Sequence, residues 1–451
     1  MPISKIVKEL ILTVLCVFAM AHGHAATAPV PDPAIPYYSW YEVTLPADSG
    51  ASCANGTPYR FYINRAQSDN LLLGMEGGGA CWSYGTCTGK GTGTEAGYSA
   101  SNPDGIPNNY MNGTIAESLV SSLLSPIMTR MDFWSWLKGT PAVETQSWTQ
   151  VFMPYCSADI HMGSAIRQYT DPTSGDWRLQ HFNGIKNAQA VAQWLVAHGL
   201  SKPQRMLVWG MSAGGYGALA DYAYFRDTLK PQAYSSLLND SGTVFVTAFN
   251  ADPAQHPSVY LYDTAKSQWG LDAAGGMLAT NKKLLPKYDE NVMGSVYRAL
   301  SAQYPHDRLG YASFQQDKTI SGYHYTPFVP AIQGLAGNTS ALTAVDLALF
   351  KQELPGIQAA MAPLPNFGYY LPWARGGLIN DHTVTTLTFS GTDIHENGIN
   401  TNIGDFINDL LSQKDPADAP VMKVFRTEQW SDASFASVLG FLETIFSSIF
   451  G

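Results

Sequence analysis

Residues Gly210-Met211-Ser212-Ala213-Gly214 constrain this chain more than any other stretch. Ahead of them lies a short apolar run, 205–209 (RMLVW), with strand character. Behind them, 215–229 is rich in Ala and Tyr and patterned as a helix. A strand that passes into a helix through so few residues needs a tight bend. The glycines fit it because the flanking chains pass close, and a side chain at either would clash. The bend lifts the Ser212 hydroxyl at the carboxyl end of the strand. The Ala213 amide then lies at a helix N-terminus, where negative charge on a reacting oxygen is stabilised. An ordinary glycine-rich turn is the bland alternative, but this is the context that a G-x-S-x-G nucleophile elbow requires.

The rest of the chain is patterned to match. Residues 59–64 (YRFYIN), 70–75 (NLLLGM), 150–154 (QVFMP), 235–238 and 367–371 (FGYYL) read as strands. Over 182–198, Ile185, Ala188, Val191, Ala192, Leu195 and Val196 share one helical face, and Pro203 follows the helix end. Strands alternating with helices predict an α/β fold of the α/β-hydrolase type. Its mostly parallel central sheet is flanked by helices and carries long loop and helical insertions. Residues 85–110, dense in Gly, Thr, Ser and Asn, read as a long surface loop. The stretch 250–365 reads as helices and loops that pass over the active end of the sheet like a cap. A single catalytic domain over 26–451 is expected.

The N-terminus reads as a secretory signal over 1–25. Lys5 and Lys8 precede an apolar run from Leu10 to Met20, and the small residues Gly23, Ala25 and Ala26 follow. A short membrane anchor is the alternative. No later run reaches the roughly 18 apolar residues of a membrane span, so no transmembrane segment is expected. Beyond Cys16 the chain has Cys53, Cys81, Cys87 and Cys156, an even count that suits two disulfides in an exported, secreted or periplasmic protein. Three pairings are possible. The short spacing of Cys81 and Cys87 favours that pair, which leaves Cys53 with Cys156. The net charge of −10 becomes −11 when Lys5, Lys8 and Glu9 leave with the signal, and no basic stretch stands out. Nucleic acid is therefore a poor partner. No metal-ligand spacing such as HExxH or paired CxxC appears, so neither metal nor cofactor is expected. At the far end, Phe435, Val438, Leu439, Leu442, Ile445, Phe446 and Ile449 fall at helical spacing. They predict a last helix that packs on the body or presents an apolar face to a lipid or polymer surface.

A serine hydroxyl is a weak nucleophile until a base, usually a histidine held by a carboxylate, takes its proton. In this fold the chain order is Ser, acid, His. His382 lies in Asn380-Asp381-His382-Thr383, just past the late strand, and His395 lies in Gly391-Thr392-Asp393-Ile394-His395. Either could serve as base. For the acid, Asp240 ends the strand after the elbow helix and Asp317 follows Gln315-Gln316; position alone does not separate them. The further oxyanion donors would be the amides of Gly78 and Gly79, in a triple-glycine run that leaves an early strand.

Four ordered motifs carry a resemblance. They are Glu76-Gly77-Gly78-Gly79-Ala80-Cys81-Trp82, Pro154-Tyr155-Cys156-Ser157-Ala158-Asp159-Ile160-His161, Gly210-Met211-Ser212-Ala213-Gly214-Gly215 and Asn239-Asp240-Ser241-Gly242. Over about 53–250 the chain resembles the pectin acetylesterase and Notum family of carboxylesterases; further on the likeness is looser, through Gln316-Asp317 and Asp381-His382-Thr383. The resemblance implies Ser212 as nucleophile, Asp317 as acid and His382 as base, with oxyanion donors at Gly78, Gly79 and Ala213. It also implies a Cys81–Cys87 disulfide. Plant members usually carry Cys directly after the histidine, where this chain has Thr383. Asp159 and His161 match a family motif near the site, and hydrogen bonds that link loops are their expected role.

The function implied is a serine carboxylesterase that works through an acyl-enzyme. Its expected partner is an ester substrate, an acylated polysaccharide or other polymer, on which the chain acts as a monomer. Removal of acetyl groups from a polysaccharide is the first reading. Hydrolysis of longer acyl chains, lipids or polyesters is the second. A non-catalytic binding protein on a hydrolase scaffold is the reading of another class.

Overall fold

The computed structural model describes residues 34–107, 110–111, 125–128, 143–375, 381–386, 389–396 and 399–426. The signal over 1–25 and the apolar helix expected over 435–450 lie outside these residues. The strands in chain order are β1 (Trp40–Thr44), β2 (Arg60–Asn64), β3 (Leu71–Met75), β4 (Thr149–Met153), β5 (Ala165–Thr170), β6 (Trp177–Phe182), β7 (Arg205–Met211), β8 (Tyr234–Asp240), β9 (Arg308–Ala312), β10 (Phe367–Leu371), β11 (Ile394–Glu396), β12 (Ile399–Thr401) and β13 (Lys423–Phe425). Nine of them form one sheet in the order β1-β2-β4-β3-β7-β8-β9-β10-β13. From β4 to β13 every neighbouring pair is parallel; β2 runs antiparallel to both β1 and β4. The expected α/β architecture is the one observed.

Side-chain alternation along β7 shows why the central strands read as unbroken apolar runs. Met206 and Val208 join the core on one face of the sheet. Leu207, Trp209 and Met211 join the core on the other. A strand covered on both faces has no solvent side to mark with polar residues. The first layer is supplied by the helices Gly184–Ala197 and Ala213–Leu229, through residues such as Ile185, Val191, Leu219 and Phe225. The second includes the helix Ile403–Leu410, through Ile403, Phe406, Ile407 and Leu410.

Several features differ from the sequence reading. Strands β1 and β13 were not expected. Residues 165–182 form a two-stranded hairpin, β5 with β6, so the helix expected from Phe182 starts only at Gly184. Residues 250–365 are not solely an excursion: β9 lies within them and runs between β8 and β10 in the sheet. Its sequence, RLGYA, breaks the apolar run with Arg308 and Gly310, which hides it. Two disulfides are present, Cys53–Cys156 and Cys81–Cys87. Among the described residues, no helix is long and apolar enough to cross a membrane.

Candidate active site

The carboxyl ends of β3, β7, β8 and β9 converge on one edge of the sheet, where α/β folds place ligands. Strand β7 ends at Met211, and Ser212 caps the helix Ala213–Leu229 with φ 55° and ψ −123°. A non-glycine residue at positive φ is strained and persists only where its surroundings hold it. They do so by close packing. A Cβ on Gly210 would lie 2.0 Å from the Gly214 carbonyl oxygen, and one on Gly214 would lie 2.0 Å from that of Met75. The elbow therefore closes only with hydrogen at both positions.

The triple-glycine segment follows β3 and runs beside the elbow. A Cβ on Gly77 would sit 3.0 Å from the Ser212 Cβ. The Gly78 and Ala213 amides have no hydrogen-bond acceptor among the described residues. The Gly79 amide is engaged: it donates to Ser101 Oγ at 2.9 Å. An oxyanion that used this amide would have to displace the Ser101 hydroxyl or share it. The neighbouring Ala80 amide lies close to the Tyr323 hydroxyl. Tyr323 belongs to a ring cluster with Tyr98, Trp82 and Phe328, at centroid distances of 4.6–5.2 Å. Ser101 and Tyr323 had no motif to announce them, because they reach the glycine run from separate loops and elements.

His382 lies beyond the end of β10. Its Nδ1 is 2.8 Å from Asp317 Oδ2 and 3.0 Å from Oδ1, so a proton on Nδ1 is donated to the carboxylate and Nε2 is left to act as base. Asp317 is fully buried and caps the helix Lys318–Tyr325, where its Oδ1 accepts the Thr319 and Ile320 amides. Those two bonds aim the carboxylate. The imidazole is 15% exposed. Burial alone would lower its pKa; the charge and hydrogen bond of Asp317, with a further contribution from Asp240, outweigh burial and raise it above the ordinary value. No hydrogen bond joins Ser212 Oγ to His382 among the described residues, and such contacts often tighten only once substrate is bound.

The structure separates the competing candidates. Asp240 makes no hydrogen bond to an imidazole; its carboxylate accepts the Val384 and Thr385 amides, both at 2.8 Å. His395 is exposed on the β11–β12 hairpin and makes no hydrogen bond to Asp317 among the described residues. It is Asp317 and His382 that come together.

Beneath the glycine run sits a buried polar layer. His161 Nε2 hydrogen-bonds the Glu76 carbonyl at 2.9 Å. Asp159 accepts the Ser157 hydroxyl at 2.6 Å and the Gly184 amide at 2.8 Å. Both residues tie loops together, as expected of them. The Glu76 carboxylate accepts the Tyr155 amide at 2.8 Å and the Tyr110 hydroxyl at 3.0 Å. Burial nonetheless pushes its pKa up to about 7. No group of three or more His, Cys, Asp or Glu side chains suited to a metal ion occurs among the described residues.

The chain is similar to known proteins over part of its length. A family model described as pectinacetylesterase matches residues 141–274, a span that includes the elbow. Pectin acetylesterase 4 of Arabidopsis thaliana is 25% identical over 200 residues, 44% of this chain and 42% of that protein. The palmitoleoyl-protein carboxylesterase NOTUM of Mus musculus is 26% identical over 208 residues, 43% of this chain and 34% of that protein. The match thus spans less than half the length of these relatives. Among solved structures, the Wnt deacylase Notum from Drosophila superposes with a TM-score of 0.51 at 15% identity, covering 87% of this chain and 97% of that one. That likeness is one of fold.

Proposed function

Because this chain belongs to the pectin acetylesterase and Notum family of carboxylesterases, we propose that it is a serine carboxylesterase that uses Ser212, His382 and Asp317. The observation that carries this reading is the Asp317–His382 pair, held by a helix cap at the sheet edge where the strained Ser212 stands. His382 Nε2 takes the Ser212 proton as Oγ attacks the ester carbonyl. Asp317 stabilises the imidazolium. The oxyanion binds at the Gly78 and Ala213 amides, with Gly79 as the third donor. The imidazolium then protonates the leaving alcohol, and water, deprotonated by His382, releases the acid. Every proton in the cycle is exchanged through one ring nitrogen.

Deacetylation of a polysaccharide is the reading put first. Two observations favour a short acyl group. A Cβ on Gly79 would meet the Ser99 carbonyl oxygen at 2.6 Å and the Tyr323 hydroxyl at 3.1 Å. The aromatic cluster closes in from the same side. The similarity to NOTUM keeps longer acyl chains in view as the second reading. The two disulfides suit an exported protein. Hydrolysis of p-nitrophenyl esters from acetate to palmitate separates the two substrate readings: activity that falls steeply beyond butyrate supports the first. Ser212→Ala should abolish turnover and block labelling by a fluorophosphonate. Retention of full activity by this variant ends the serine-esterase reading.

A further inference from the structure

Asp240 sits where the two halves of the candidate machinery meet. It is the last residue of β8 and pairs with Met211, the residue before the nucleophile. Its carbonyl oxygen accepts the Ser212 amide at 2.8 Å. Its carboxylate is fully buried and accepts four donors. Oδ1 takes the Val384 amide at 2.8 Å and the Ser241 hydroxyl at 3.1 Å. Oδ2 takes the Thr385 amide at 2.8 Å and the Thr385 hydroxyl at 2.6 Å. An ionised carboxylate offers about four acceptor sites, and here donors fill them all. The gripped residues stand two and three positions after His382.

The rest of the loop is held in concert. The Arg375 guanidinium donates to the Val384 carbonyl at 2.9 Å and the Thr386 carbonyl at 3.2 Å. Trp209 of β7 donates its indole N–H to Thr385 Oγ1 at 3.1 Å, and the Ser125 hydroxyl donates to the Thr385 carbonyl at 2.7 Å. Asp240 is the member of this network that also bonds the nucleophile's backbone. We propose that Asp240 is a positioning residue that fixes the His382 loop in register with the Ser212 elbow, with Thr385 as its main handle. The role rests on the esterase reading above and deepens it: the carboxylate that a chain-order argument offers as the acid instead sets where the base stands. Its charge reaches His382 along with that of Asp317, while Arg375 is the cation that faces Asp240.

Steady-state kinetics on p-nitrophenyl acetate across pH, with melting curves for each variant, test the proposal. Asp240→Asn turns an amide NH2 toward donors and removes a charge. It should lower kcat about 10²-fold, the scale expected from misplacing a catalytic group by about 1 Å. KM should change little, and the acid limb of kcat/KM should move to lower pH. Thr385→Val, which keeps volume but loses the hydroxyl, should lower kcat less severely, and Thr385→Ser should restore it. If Asp240→Asn does not fold, the Thr385 pair decides. Ser212→Ala is measured alongside: an active S212A defeats the esterase reading itself. An inert S212A together with D240N and T385V at wild-type kcat and pH profile overturns the positioning role alone.

Discussion

Two ionisable groups, His382 and Glu76, set opposite demands on pH. The raised pKa of His382 means that the imidazole holds its proton to higher pH than a free histidine, and in the mechanism proposed above a protonated His382 cannot accept from Ser212. The acid limb of kcat/KM should therefore lie above the ordinary histidine value of about 6.5. Asp317→Asn should bring it down and cost about 10⁴ in kcat, as loss of a triad carboxylate does elsewhere; a pH–rate profile reads both effects. Glu76 acts on stability instead. Its folded pKa of about 7 exceeds the unfolded value, so the stability it contributes is full below about pH 4.5 and is lost as pH rises through about 7. Glu76→Gln should flatten the change in urea midpoint over that window. At this scale the elbow was legible because glycine, serine and glycine are demanded by sterics that span only five residues. The choice between Asp240 and Asp317 was not legible from position, since both are aspartates near strand ends. What separates them is which part of one distant loop each touches: Asp317 meets His382, 65 residues on, and Asp240 meets Val384, 144 residues on.

Single elements differ in what secures them. The Cys53–Cys156 bond closes a separation of 103 residues and ties the segment before β2 to the end of β4. Cys81–Cys87 closes a separation of 6, beside the short helix Tyr84–Thr88. Loop-entropy reasoning gives the longer closure the larger effect, about 4–5 kcal/mol as an upper range. Replacing Cys53 and Cys156 together by Ser should therefore lower the denaturation midpoint more than replacing Cys81 and Cys87. The shorter bridge lies next to Gly79 and Ala80, so its loss should tell on kcat. Strand legibility follows the same logic of local against distant support. β3, and β7 beyond Arg205, are runs of apolar residues and glycine and declare themselves. β9 does not, because its buried Arg308 is satisfied by Asp409 at 2.7 Å and by the Ala419 carbonyl at 2.8 Å, both about a hundred residues away. The three-residue β13 is too short to carry any pattern.

At the scale of the whole molecule, several buried polar groups among the described residues lack partners, and Asp221 is one that works against the fold. Asp221, on the helix that starts at Ala213, is 1% exposed, and neither carboxylate oxygen has a hydrogen-bond partner among the described residues. Burial, and then the charge of Asp159, raises its pKa well above the ordinary value. Its contribution is thus most favourable below about pH 4 and is lost as pH rises toward the folded pKa. Asp221→Leu, similar in size, should stabilise the protein by about 1–3 kcal/mol at pH 7, the scale for removing an unsatisfied buried polar group. Urea titration at pH 7 and pH 4 checks this: the gain should shrink at the lower pH. A variant that melts earlier at pH 7 would mean that Asp221 has a favourable role in the native state.

The crowding around the elbow also limits how such a protein can diversify. Hydrogen is the largest substituent that Gly210 and Gly214 tolerate, because carbonyl oxygens lie 2.0 Å from where a methyl would be. Around Gly79, by contrast, the obstacles are a loop carbonyl at Ser99 and side chains at positions 101 and 323. On the esterase reading proposed above, new ester preferences would arise through exchanges at 99–101, 323 and 328. The bend that bears Ser212 must be inherited whole.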